Sequence, residues 1–374
     1  MLFNVCALYI KIMNNENQTI HKSDDNLTIY GWNEKLNQLK QESIYSTLAH
    51  GRVSIVHRTC YEVISGNGLF QCELTGNMMY GKSDDELPCT GDWVIFQPFD
   101  EHKGIIVDSL PRERTLYRKK SGTVADKQAI ASYVDKAFIV QSLDDNFNVR
   151  RVERFMVQIM EENISSVLVL NKADLDFDRQ SVEEQIKHIS SQIPVFFTSI
   201  HQLETIVRLR KSISEGETVV FVGSSGVGKS SLVNALCEKS VLLTSDISLS
   251  TGKGRHTSTR REMVLMDGSG VLIDTPGVRE FGLAIDDPDS LAEVLEISDY
   301  AASCHFKDCK HINEPGCAVL EAVSSGVLDR KVYESYLKLR REAWHFSTSE
   351  HEKRKRDKSF SKLVDEVKKR KANR

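Results

Sequence analysis

Thr218-Val219-Val220-Phe221-Val222-Gly223-Ser224-Ser225-Gly226-Val227-Gly228-Lys229-Ser230-Ser231 passes from five β-forming residues through a glycine-rich turn into the start of a helix. Gly223 to Ser230 spells G-x-x-x-x-G-K-S, with a buried strand before it and a helix from Ser231 to Cys237 after it, the setting in which such a loop cradles phosphates. Glycines let consecutive N–H groups fold inward as an anion nest, and the helix N-terminus adds its positive end. Lys229 is expected to reach the β- and γ-phosphates and serve catalysis, and the Ser230 hydroxyl to ligate Mg²⁺.

Working outward, Ala137–Gln141, Val167–Leu170, Val195–Phe197 and Val271–Ile273 are further short apolar runs, with a helical period between the first two from Val149 to Glu162. Buried strands alternating with helical stretches predict an α/β layered domain with a largely parallel sheet. Asp274-Thr-Pro-Gly277 follows the last of these strands. There Asp274 is placed to hold Mg²⁺ through a water and the Gly277 N–H to sense a γ-phosphate. Between the two phosphate motifs lies Thr251-Gly-Lys-Gly-Arg-His256-Thr257-Ser258-Thr259, polar and glycine-rich, which reads as a nucleotide-sensitive switch. Thr257, Ser258 and Thr259 each offer a hydroxyl to Mg²⁺, and His256 offers a base or a group to orient water.

A phosphate loop does not distinguish bases. Asn171-Lys172-Ala173-Asp174, directly after a strand, does: its carboxylate accepts from the guanine N1–H and exocyclic amine, for which adenine has the wrong donors. Lys172 is expected to lay its stem along the base plane, and Thr198-Ser199 supply a second base-side element. Asn171 precedes Gly223 by 52 residues, whereas an ordinary guanine-nucleotide domain has the phosphate loop first. The order is that of a circularly permuted GTPase, whose site survives because chain ends close together at a surface tolerate relocation.

Upstream, five short strand signals fall within residues 48–116: Arg52–His57, Tyr61–Ile64, Leu69–Leu74, Asp92–Phe96 and Gly104–Val107. They predict a small β-barrel, since closure removes exposed edges; an OB-like barrel is the first choice and an SH3-like one stays open. Residues 1–47 are rich in Asn, Gln and Lys with poor periodicity, and read as a weakly ordered extension or peripheral helix. The 374 residues carry 49 Lys plus Arg against 53 Asp plus Glu, a formal charge of −4, which by itself gives no nucleic-acid signal. The distribution says more: the 341–374 tail is basic, with eleven Lys or Arg against four acids after Glu350, and Arg112, Arg114, Arg118, Lys119 and Lys120 cluster at the barrel exit. Eight scattered cysteines fit a reducing cytoplasm, and the apolar start lacks the basic flank and cleavage site of a signal peptide.

The last three cysteines crowd together as Cys304-x4-Cys309-x-His311-x5-Cys317. Three thiolates and a neutral imidazole suit one structural Zn²⁺, with four protein ligands leaving no open position for substrate. His305 competes with His311 for the fourth place, and the single residue between Cys309 and His311 favours the latter. Residues 286–340 are then a mostly helical zinc-binding domain after a GTPase domain at 117–285.

Together these motifs, with Ser231-Leu232-Val233-Asn234 after the phosphate loop and Val278-Arg279-Glu280-Phe281-Gly282 after Gly277, resemble the ribosome small subunit-dependent GTPase A family, circularly permuted bacterial GTPases of late 30S maturation. The resemblance covers about residues 48–340. It implies an OB-fold touching 16S rRNA, turnover of GTP to GDP stimulated by the 30S subunit, Zn²⁺ at Cys304, Cys309, His311 and Cys317, and a cytoplasmic monomer without membrane contact. It also implies a part in hydrolysis for His256. Val278 stands where many GTPases carry a water-positioning Gln, so intrinsic turnover is expected to be slow. Ser132-Tyr133 before Val134-Asp135 and Ile200-His201 after Ser199 depart from the family pattern. The rival functions are a permuted GTPase acting on another assembly and an RNA-binding scaffold that uses GTP structurally.

Overall fold

The computed structural model describes residues 25–83, 85–119, 127–237, 261–274 and 288–347. Period-2 burial marks the first strands: in β2 (Tyr61–Ser65) and β3 (Gly68–Leu74), Tyr61, Val63, Phe70 and Cys72 point inward. With β1 (Ala49–Val56), β4 (Trp93–Asp100) and β5 (Lys103–Ser109) they close a barrel in the cyclic order β1-β2-β3-β5-β4. Every pairing is antiparallel except β3 with β5, and β4 returns to β1 through Ala49↔Phe96 to Arg52↔Trp93. Since α1 (Glu34–Glu42) precedes the barrel, the helix between β3 and β4 is α2 (Gly76–Gly81). Thr75 caps it by accepting from the Met78 N–H at 3.3 Å, and Met78 joins the barrel core.

Of residues 1–47, those from 25 on are described, and they take the peripheral-helix alternative, with α1 over Glu34–Glu42. This stretch is packed: Leu27, Trp32 and Leu36 are buried with Trp93, Ile95, Leu110 and Tyr133, and Trp32 meets Trp93 edge-on at 4.8 Å. Three large side chains make this contact without producing a period, so the pattern was silent about it.

The parallel sheet lies beyond. β8 (Lys136–Ser142), β9 (Ser165–Asn171), β10 (Val195–Thr198), β11 (Thr218–Val222) and β13 (Val271–Asp274) run in the order β10-β9-β8-β11-β13. Both faces are covered, which is why these strands read as unbroken apolar runs. On one face Phe138, Val140, Val169 and Phe221 pack against Ile206 and Leu209 and against Leu232, Val233 and Leu236. On the other, Ile139, Leu168, Leu170, Val220 and Val222 meet Val152, Phe155, Met156 and Ile159 of α3 (Val149–Glu161), the i, i+3, i+4, i+7 stripe of an amphipathic helix. Asn148 starts α3 by accepting from the Arg151 N–H at 3.3 Å. The helices that follow β9 are α4 (Arg179–Gln185) and α5 (Lys187–Ser190); α6 (Leu203–Lys211) follows β10 and α7 (Lys229–Cys237) follows β11.

Two features escaped the sequence reading. A two-stranded hairpin, β6 (Leu116–Lys119) with β7 (Lys127–Ala131), adds Leu116 and Ile130 to the α3-side core. Strand β12 (Glu262–Leu265) lies antiparallel to β13 and pairs in turn with β1 through Ile55↔Glu262, so barrel and parallel sheet form one sheet of eleven described strands.

The C-terminal helices α8 (Pro288–Val294), α9 (Ser298–Ala301), α10 (Ala318–Ser324) and α11 (Arg330–Ser347) carry a Cys/His cluster between α9 and α10. Leu291, Val294, Val319 and Leu339 share one apolar cluster with α3. A polar tie reinforces it: buried Glu153 of α3 accepts from the Ser335 hydroxyl at 2.5 Å and contacts His188 Nε2 at 3.0 Å. No helix among the described residues is long and apolar enough to cross a membrane.

Candidate functional site

Parallel strands end on one side, so Asn171 at the end of β9, Thr198 at the end of β10, Gly223 after β11 and Asp274 at the end of β13 come to a common edge. The phosphate-type loop begins there. Gly223 has φ +148, and a Cβ on it would lie 2.3 Å from the Val140 carbonyl oxygen; Gly228 has φ +92, and its Cβ would lie 2.3 Å from Asn171 Nδ2. Only glycine meets both demands. Val227 is fully buried and anchors the loop, while Ser225, Gly226 and Ser230 are exposed along its rim and Ser224, Gly228 and Ser231 are half-buried. Lys229 Nζ donates to the carbonyls of Gly223 and Ser224, each at 2.7 Å, which lays the ammonium across the loop.

The base-side motif is clasped to this loop from the neighbouring strand. Asn171, buried, donates through Nδ2 to the Val227 carbonyl at 2.8 Å and accepts from the Thr198 hydroxyl at 3.2 Å. Both side chains therefore tie the two loops together and do not face solvent. Ser199 Oγ donates to Asp174 Oδ1 at 2.5 Å, and the Ser199 N–H donates to Thr205 Oγ1 at 3.0 Å. The Ser199 bond holds the exposed Asp174 carboxyl below its ordinary value, so it stands ionised as an acceptor. Lys172 is in the left-handed region, φ +61, and its Nζ meets Asp144 Oδ2 at 2.8 Å. Burial works to raise the Asp144 carboxyl, but hydrogen bonds from Lys172, Ser142 and the Asn146 N–H hold it at about 2.

The described half of the site thus combines an anion-shaped loop, a cation over it, an exposed carboxylate edge two strands away, and the side-chain oxygens of Ser230 and the half-buried Asp274, a residue pair of the type that could hold a divalent cation. His256, Thr257, Gly277 and Val278 lie outside the described residues, as do Lys120 and the tail beyond residue 347. Asp144 was missed in the sequence because a single acid after a strand has no spacing signature.

The Cys/His cluster is brought together as the spacing predicts. The ligand atoms of Cys304, Cys309, His311 and Cys317 all lie within 4.8 Å of one another. His311 Nδ1 is 3.5 Å from Cys304 Sγ and 3.4 Å from Cys317 Sγ, and these two sulfurs are 3.9 Å apart. Tetrahedral coordination with metal–sulfur bonds of about 2.3 Å and a metal–nitrogen bond of about 2.1 Å puts sulfurs about 3.8 Å apart and sulfur about 3.6 Å from nitrogen. The three distances among Cys304, His311 and Cys317 match those around one four-coordinate ion. His305, the rival ligand, stands edge-on against Phe306 at 4.7 Å and is not in the cluster. Burial, with the Arg340 guanidinium nearby, keeps the His311 imidazole below its ordinary pKa and so neutral. Its carbonyl accepts from the Tyr333 hydroxyl at 2.6 Å. Glu314 accepts from the N–H groups of Ile312, Asn313 and Lys310 and braces the intervening loop.

The arginines at the barrel exit do not form the free basic patch expected from their charges. Arg112 grips fully buried Asp92 with Nη2 at 2.7 Å and Nε at 3.0 Å, and donates to the carbonyls of Asp85 and Leu87. Arg114 pairs with Asp135 at 3.1 Å, and Arg118 donates twice to Gln128 Oε1. Each has an internal acceptor: Arg112 and Arg114 hold the linker to the barrel and sheet, and Arg118 ties the two strands of the β6–β7 hairpin.

Among known proteins, a profile described as RsgA GTPase matches residues 109–284. The chain is similar to "Small ribosomal subunit biogenesis GTPase RsgA 1" of Bacteroides thetaiotaomicron, with 75% identity over 361 residues, covering 96% of this chain and 100% of that protein. The Methanosarcina acetivorans protein "Small ribosomal subunit biogenesis GTPase RsgA" is 38% identical over 338 residues, 87% of this chain and 89% of its own. Among solved structures, YjeQ from Thermotoga maritima superposes with a TM-score of 0.60 at 26% identity, covering 79% of this chain and 98% of that one. YloQ, described as a circularly permuted GTPase, shares the fold with a TM-score of 0.59 at 22% identity, covering 81% and 97%.

Proposed function

Because the chain belongs to the RsgA family of circularly permuted GTPases, we propose that it hydrolyses GTP to GDP and phosphate in small ribosomal subunit biogenesis, acting on the 30S subunit and its 16S rRNA. The observation that carries the reading is the clasp from Asn171 to the Val227 carbonyl, which joins a base-reading motif to a phosphate loop lying after it in sequence. In this reading the N–H groups of Gly223 to Gly228, together with Ser230 and Ser231, bind the phosphates, and Lys229 neutralises the charge that develops on them. Asp174 reads the guanine edge, Lys172 covers its face, and Asn171, Thr198 and Ser199 hold those two in place. Ser230, Asp274 and Thr257 serve Mg²⁺, Gly277 senses the γ-phosphate, and His256 takes part in hydrolysis.

The metal at Cys304, Cys309, His311 and Cys317 is one structural Zn²⁺, supported by the donor set of three thiolates and one imidazole and by the spacing of Cys304, His311 and Cys317. The barrel is of the OB type: its closure order, the parallel β3–β5 pair and the helix between β3 and β4 favour that topology over an SH3-like one. The working units are the barrel at 48–116, the GTPase at 117–285 and the zinc-binding region at 286–340, in a cytoplasmic monomer.

Steady-state GTP hydrolysis with 30S subunits, with 50S subunits and without ribosomes tests the function. We expect slow intrinsic turnover and a kcat raised by 30S alone. Turnover unchanged by 30S overturns the proposal, and stimulation by 50S assigns the enzyme to a different assembly.

A further inference from the structure

We propose that Asp144 is a positioning residue of the nucleotide site, holding the Lys172 ammonium so that the lysine stem stands in place for the purine face before any nucleotide arrives. The inference rests on the reading above that the base lies against Lys172 and Asp174.

Asp144 belongs to no motif. It follows β8 by two residues, in a turn closed by the Phe147 N–H on its own carbonyl at 2.9 Å. The side chain is aimed and held: Oδ1 accepts from Ser142 Oγ at 2.7 Å and from the Asn146 N–H at 3.0 Å, leaving Oδ2 for Lys172 Nζ at 2.8 Å. The turn is also fastened to the base motif, since the Leu143 N–H donates to the Asn171 carbonyl at 2.9 Å. From its far end, Lys172 enters this contact with a left-handed backbone, φ +61, a conformation that a lysine adopts only where surroundings compel it.

A free lysine side chain has rotamer entropy to lose on ordering. Fixing its head against a carboxylate removes part of that loss from the binding step, the ordinary gain from preorganisation. The pair is about one-third exposed on each side, so the contact is water-screened and its effect modest. A stem lying on a ring face contributes to any purine, whereas Asp174 reads the edge. Asp144 therefore sets affinity without setting base choice.

Equilibrium binding of GDP and inosine diphosphate to the full chain separates these roles, because inosine lacks the exocyclic amine that Asp174 would accept from. Asp144→Ala is expected to weaken both ligands alike, by about fivefold, with the GDP-to-IDP ratio kept. Asp144→Asn, which keeps the acceptor for Ser142 and Asn146 but loses the charge, should weaken both by less. In a Lys172→Ala background, removing Asp144 should add nothing. Native affinity in both Asp144 variants overturns the proposal. A collapsed GDP-to-IDP ratio also overturns it, since Asp144 would then merely shape the loop that carries Asp174, as does a full Asp144 effect without Lys172. Failure of the native chain to bind GDP is a separate result and overturns the reading of the site itself.

Discussion

Gly226 and Gly228 both hold positive φ in the phosphate loop, +83 and +92, yet their surroundings differ. A Cβ on Gly226 would have nothing within 4 Å, whereas one on Gly228 would fall 2.3 Å from Asn171 Nδ2 and push apart the clasp between the two loops. Gly226→Ala should carry only the left-handed backbone penalty, about 1–2 kcal/mol. Gly228→Ala carries that penalty and also displaces the base motif, so its GTP affinity should fall at least about tenfold further. Titration of both variants with GTP checks this; equal losses would mean that the Asn171 clasp does not matter for binding. At this scale most of the candidate site was legible, because the loop, the base motif and the cysteine cluster are defined by spacing. What spacing cannot tell is where a lone charge goes. Asp144 went unnoticed, and Arg112 looked like a nucleic-acid contact until its carboxylate partner, twenty positions upstream, came into view.

Elements divide in the same way. Strands β8, β9, β11 and β13 are covered on both faces and announce themselves as apolar runs. The hairpin β6–β7 and the bridging strand β12 do not: the first is mixed with charges, and the second is a short, half-buried run, Glu262–Leu265. The Cys/His loop is legible as ligands but not as architecture, since its helices share their apolar cluster with α3 instead of forming a separate core. That sharing shapes the outcome of removing the metal. Cys309→Ala takes one ligand from the cage and should lower metal content from one Zn²⁺ per chain, with loss of order in α9 and α10. Leu291, Val294 and Leu339, packed against α3, should keep α8 and α11 docked, and GDP binding should persist. Elemental analysis with hydrogen exchange on the zinc-depleted variant is the measurement. Native protein without metal, or a variant that also releases α11, would contradict this account.

On the scale of the whole molecule, barrel and parallel sheet meet through one registered backbone pair, Ile55↔Glu262, which is a thin join for two such bodies. Arg52, three residues before Ile55 on β1, reinforces it. It is 1% exposed, and all five N–H donors have neutral acceptors. Nε donates to the Gly91 carbonyl at 2.9 Å, Nη1 to Thr218 Oγ1 at 2.8 Å and to the Tyr30 carbonyl, and Nη2 to the carbonyls of Tyr133 and Ser132 at 3.4 and 3.5 Å. One side chain thus ties the N-terminal stretch, the barrel, the linker and the first residue of β11, the strand that ends in the phosphate loop. Burial lowers its pKa to about 10, so it remains charged at neutral pH, its desolvation cost offset in part by the nearby Asp135 and Asp92 carboxylates and by its set of acceptors. Arg52→Met keeps much of the volume and strands those acceptors, which should destabilise the chain by about 3 kcal/mol or more. The form of unfolding is the sharper test. The native chain should unfold in one calorimetric transition that GDP raises as a unit, because ligand binding to one part of a cooperative body stabilises all of it. In Arg52→Met the transition should split, with GDP raising the sheet's component and leaving the barrel's where it was. A variant that still melts once, and still shifts as a whole with GDP, would show that Ile55↔Glu262 and the apolar contacts suffice without the arginine.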